Sequence, residues 1–172
     1  MIVRPERPDD EAAIRAVHDA AFGGTVEGAI VDAMRGTDAW QPGLSLVAAD
    51  EARGSVVGHV LLSRAVLERP DRPPASVLVL GPIGVLPARQ RRGVGRALMQ
   101  RAIGAALATG EPLIALLGHA SYYPRFGFER ARDLGIEPPA DWPDESWLAL
   151  RLPAWTPDLR GVLRYPDGFG QR

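Results

Sequence analysis

The sequence predicts an α/β protein, a single domain over residues 1–172 built on a mixed, mostly antiparallel sheet flanked by helices. Three observations predict it. Apolar runs over 44–49, 55–67 and 76–85 are separated by polar or proline-rich turns of hairpin length, which reads as an antiparallel meander. From Arg96 onward, Leu98, Met99, Ala102, Ile103, Ala106 and Leu107 recur at helical spacing and predict a helix buried on that face, ended by Gly110. The run 113–117 is then wholly apolar, as strands covered on both faces tend to be, so strand, helix and strand form a right-handed crossover with a parallel pair.

The remaining elements follow in order. Residues 2–4 are a short strand candidate. Asp9 and Asp10 after Pro8 can cap a helix whose apolar positions are Ile14, Val17, Ala21 and Phe22, with Gly23 and Gly24 ending it. A second short helix is expected over 26–35, and a loop with Trp40 and Pro42 over 38–43. Residues 130–145 read as irregular, 147–152 and 161–165 as closing strands, and Pro166 onward as a tail. His18 and Glu27 read as solvated helix-surface residues. His59, with Ser63 on the same strand face, reads as structural.

Composition excludes several classes of function. The net charge of −1 gives no bulk attraction to nucleic acid or to a membrane surface. The absence of cysteine removes disulfides, thiolate metal sites and thiol nucleophiles, and no lysine is present to form a Schiff base. No apolar run reaches membrane-spanning length and the first residues lack a secretory pattern, so a cytoplasmic enzyme without a metal is the expectation.

Two stretches carry chemistry. In the first, an apolar strand ends in Val85-Leu86-Pro87 and is followed by Gln90-Arg91-Arg92-Gly93-Val94-Gly95 and then Arg96 at a helix start. Amide groups at a helix start have no internal partner and, with the helix dipole, attract anions. Gly93 and Gly95 leave room for a phosphate to approach, and Arg91, Arg92 and Arg96 add positive charge. Upstream, Gly81-Pro82 breaks a rule: a buried strand should not contain this pair unless it bulges there. The second stretch is Gly118-His119-Ala120-Ser121-Tyr122-Tyr123-Pro124-Arg125-Phe126-Gly127-Phe128.

The first stretch resembles the acetyl-CoA signature of the GNAT superfamily of N-acetyltransferases, and the second resembles the GNAT segment in which a tyrosine precedes a Gly-Phe pair, as in a bacterial subgroup of N-acetyltransferases. The resemblance implies a GNAT-like acyl-CoA N-acyltransferase fold in which the parallel strand pair splays apart and the pantetheine arm fills the gap. It implies acetyl-CoA as co-substrate. The pyrophosphate would lie on Gln90, Arg91, Arg92, Gly93, Val94, Gly95 and Arg96, and the amides and thioester on the backbone of Ile83, Gly84 and Val85. Tyr123 stands at the position of the general acid, with Tyr122 facing elsewhere. The partners implied are an amine-bearing acceptor and, since relatives are commonly dimers, a second copy.

The glutamate that such enzymes often carry on the strand before the loop is missing, because 76–85 contains no acid. Glu27, Glu68, His18, His59 and His119 are the candidate bases. A non-catalytic acyl-CoA sensor on the same fold is the alternative function. A dinucleotide-dependent oxidoreductase fits poorly, because a third glycine at fingerprint spacing is absent and antiparallel strands precede the loop.

Overall fold

The computed structural model describes residues 1–169. Nine strands form one sheet: β1 (Ile2–Pro5), β2 (Ser45–Ala49), β3 (Val56–Glu68), β4 (Ala75–Val85), β5 (Leu113–Leu117), β6 (Glu129–Arg130), β7 (Ile136–Glu137), β8 (Trp147–Arg151) and β9 (Gly161–Arg164). Three α-helices accompany them: α1 (Glu11–Phe22), α2 (Val26–Met34) and α3 (Val94–Leu107). The main order is β1-β2-β3-β4-β5-β8-β6. The predicted meander is β2-β3-β4, extended by β1, and the predicted crossover is β4-α3-β5.

Alternation along the strands sends side chains to two covered faces. Leu46, Ala48, Val60, Leu62, Leu78 and Leu80 pack under α3, against Leu98, Met99, Ala102 and Ala106. Val47, Val56 and Leu61 pack on the other face against Ile14, Val17, Val31 and Met34 of α1 and α2. A third cluster joins Leu67, Val77, Val79 and Leu113 to Trp147 and Leu163 of the closing strands.

Several expectations change. The helix starts at Val94, two residues before Arg96, and Leu107 in its last turn is exposed rather than buried. The stretch 130–145 contains β7 and part of β6, pairs too short for a periodicity to register. The last strand β9 returns to the meander and pairs with β3 through Val66, Leu67 and Glu68, beyond the end of β2. The predicted tail beyond residue 169 lies outside the described residues.

Two irregularities in β4 shape the site. Val60 pairs with Ile83 and Leu62 with Leu80, so Leu61 alone faces Gly81 and Pro82. This is the bulge the proline demanded, and the Gly81-Pro82 bond is cis. On the other edge, β4 pairs with β5 only at Leu78–Ile114 and Val79–Ala115. From Leu80 to Val85 that edge has no strand partner among the described residues. The two parallel strands therefore part at the bulge.

Candidate active site

The parting strands open into a cleft of about 1170 Å³. Its floor is Leu80, Gly81, Pro82 and Ile83 of β4, and Leu117, Gly118, His119 and Tyr123 flank it from the β5 side. Phe22, Glu27 and Ile30 border it from α1 and α2, and Trp142, Tyr165 and Phe169 from the C-terminal part.

At the far end of β4, a tight loop leads into α3. Arg91 has φ 57° and Gly93 φ 85°, so the chain turns twice through the left-handed region before the helix begins. No side chain caps that helix start. A Cβ at Gly93 would meet nothing within 4 Å, so glycine is required there for its backbone conformation and not for space. Gln90 donates from Nε2 to the carbonyl of Val85 at 3.1 Å, tying the loop to the strand end. Arg91, Arg92 and Arg96 are exposed, and no ion pair engages them among the described residues. Arg89 is paired with Asp50 at 2.8 Å.

Tyr123 begins a 3-10 turn, Tyr123–Phe126, and is almost wholly buried. Its ring sits under Gly118, where a Cβ would run into it, and edge to face with Phe128 at 5.7 Å. Burial, and secondarily Tyr122, push its phenol up to about 12. A phenol so shifted stays protonated at neutral pH, so it can give a proton there but not take one up. Tyr122 does not line the cleft; its hydroxyl lies 3.2 Å from where a Cβ on Gly95 would stand, against the start of α3. The rings of the two tyrosines meet edge to face at 86°.

Of the five candidate bases, Glu27, Glu68 and His119 line the cleft. Glu68 is paired with Arg164 at 2.6 Å. Glu27 and His18, expected on the surface, are both buried. His18 and His59 do not line the cleft. They belong to a buried chain that sequence reasoning missed, because its members come from α1, β2, β3 and the residue that follows β1. Ser45 donates to Glu6, whose carboxyl is held at about 2: burial opposes this, but hydrogen bonds from His59, Arg35 and Ser45 outweigh it. Ser45 Oγ lies 2.8 Å from His59 Nε2, and His59 Nδ1 lies 2.8 Å from His18 Nε2. With the serine proton spent on Glu6, each histidine must donate from Nε2, which leaves His18 Nδ1 as a bare acceptor. That atom has no partner and faces Gly84, where a Cβ would come within 2.8 Å of it. Ser63, also fully buried, has an unpartnered hydroxyl and joins no such chain. Among the described residues no group of His, Cys, Asp or Glu is placed to hold a metal ion, and no helix is long and apolar enough to cross a membrane.

Comparison with known proteins agrees with this geometry. The family model for the acetyltransferase (GNAT) domain matches residues 3–131. The chain is 36% identical to YjhQ, an uncharacterized N-acetyltransferase of Escherichia coli K12, over 92% of this chain and 88% of that one. It is 32% identical to a GNAT family acetyltransferase from Brucella melitensis crystallised with acetyl-CoA, covering 98% of this chain and 97% of the other at a TM-score of 0.77. The GNAT family N-acetyltransferase YhbS of Escherichia coli, crystallised with CoA, shares the fold at a TM-score of 0.84 and 24% identity, over 98% and 91% of the two chains. The chain belongs to the GNAT family of acetyltransferases and is an acyltransferase.

Proposed function

We propose that this protein transfers an acetyl group from acetyl-CoA directly to a primary amine. The observation that carries the reading is the gap between β4 and β5, with an unpaired strand edge on one side and Tyr123 on the other. The acetyl-CoA complex of the Brucella melitensis relative supports the choice of donor.

On this reading the amides of Gly93, Val94, Gly95 and Arg96 take the pyrophosphate, and Arg91 and Arg92 add charge from the exposed side. The free edge at Ile83, Gly84 and Val85 pairs with the pantetheine amides and steadies the oxyanion that develops at the thioester carbonyl. The amine nitrogen attacks that carbonyl, a C–N bond forms and the C–S bond breaks. Tyr123 gives its proton to the departing sulfur and regains one from solvent, and the proton lost by the amine leaves through the cleft, where Glu27 and His119 stand. No acyl-enzyme is formed, since the chain has no cysteine. The reading carries a cytoplasmic location with it.

The missing acid on β4 favours one rival, an acyl-CoA sensor without catalysis. Incubation with acetyl-CoA and a panel of primary amines separates the two. Amine-dependent release of CoA supports the enzyme, and tight acetyl-CoA binding with no release under any amine supports the sensor.

A further inference from the structure

We propose that the acceptor is a small primary monoamine with an apolar body of aromatic size, held by a wall that residues 139–169 build. The proposal rests on the acetyl-transfer reading and adds the class of acceptor to it.

The family match ends at residue 131, yet much of the cleft wall comes from beyond it. Trp142 meets Tyr165 edge to face at 5.8 Å, and Tyr165 meets Phe169 at 4.8 Å. This ladder of rings ends at the reaction centre, because Phe169 lies 3.9 Å from the Cβ position of Gly81 in the bulge. Phe22 and Ile30 face it across the cleft. Phe22, Leu117 and Val162 are also among the few large apolar side chains left exposed, and all three are on this cleft. An amine whose nitrogen reaches the bulge must lay its body among these groups. A polar group laid against these rings would be desolvated without a partner.

Charge and closure narrow the class further. In the lining, Glu68 is paired with Arg164, and the carboxylate of Asp167 has no ion pair among the described residues. That carboxylate favours one cationic ammonium, which the aromatic faces also attract. Residues 165–169 run from the end of β9 across to α2, where Gly168 packs so closely that a Cβ would stand 2.8 Å from Met34 Cε and 3.2 Å from Ala33 Cβ. That side of the cleft is closed. A polypeptide threading through the site would have to displace the strap, whereas a small amine enters end on.

The test is calorimetric titration of 2-phenylethylamine, ethylamine, spermidine and a short lysine peptide into the full chain, with and without saturating CoA. CoA carries no acetyl group, so binding is read without turnover. We expect 2-phenylethylamine to bind about 10²-fold more tightly than ethylamine, the order of discrimination an apolar pocket achieves, and more tightly than spermidine or the peptide. Trp142→Ala should cut its affinity about tenfold and leave ethylamine unchanged. Because Trp142 also packs on Trp147, Phe169→Ala, at the end of the ladder nearest the bulge, should give the same selective loss. Equal or tighter binding of ethylamine, spermidine or the peptide overturns the proposal, as does a loss in Phe169→Ala that is the same for every amine. Selective binding of 2-phenylethylamine without any acetyl transfer to it would instead uphold this pocket and overturn the catalytic reading.

Discussion

His18 Nε2 and His59 Nδ1 stand 2.8 Å apart, edge to face, and neither ring has any exposed surface. Burial first, and then His59, push His18 down to about 3, and burial lowers His59 as well, against the pull of Glu6 and Asp10 and with the repulsion of Arg35. An unfolded histidine takes up its proton near pH ~6.5. Between that value and about 3 the unfolded chain therefore binds more protons than the folded one. The stability His18 allows is fully present above the upper value and is lost as pH falls through the window, at up to about 1.4 kcal/mol per unit. Urea unfolding at neutral pH and at mildly acidic pH checks this. His18→Gln should flatten the acid slope, and an identical slope in that variant would show that other groups cause it.

Gly93→Val should abolish most CoA affinity while the fold survives. The space around Gly93 is open, so the cost comes from forcing a branched residue to φ 85°. Such a conformation costs on the order of 1–3 kcal/mol, which the loop can avoid only by moving its amides. Arg92→Ala removes one exposed charge and leaves the amides, so it should cost less. Calorimetry with CoA compares them, and unchanged affinity in Gly93→Val would remove the loop as the pyrophosphate site.

Tyr123→Phe keeps the ring under Gly118 and removes the proton. Loss of a general acid is worth about 10²–10⁴ in rate, so kcat should fall by that order with acetyl-CoA affinity nearly unchanged. Tyr122→Phe should act differently: its hydroxyl is beside Gly95, so any effect belongs in cofactor affinity and should leave kcat largely intact. If Tyr123→Phe retains most of its kcat when chemistry limits turnover, another group protonates the thiolate.

What could be read from the chain tracks the range of the interactions. The crossover, the meander and the loop at Gly93 follow from periodicity and local backbone preference, so residues close in sequence suffice to find them. Pro82 betrayed the bulge because one residue without an N–H cannot sit in a regular ladder. His18 looked like a surface residue because its own helix says nothing of β3, and His59 has no chemical partner within its strand. Their chain with Ser45 and Glu6 exists only once four separate segments are assembled. The wall of Trp142, Tyr165 and Phe169 carries no motif, since a cleft lining needs apolar shape and no fixed spacing.

The most direct test of acetyl transfer is to quantify CoA release and acetylated amine together, by thiol titration and mass spectrometry, in one reaction with acetyl-CoA and 2-phenylethylamine. The account predicts equimolar appearance of both, dependent on the amine and reduced about 10²-fold or more in Tyr123→Phe. Release of CoA without acetylated amine, or bound acetyl-CoA with no product from any amine of the panel, would contradict it.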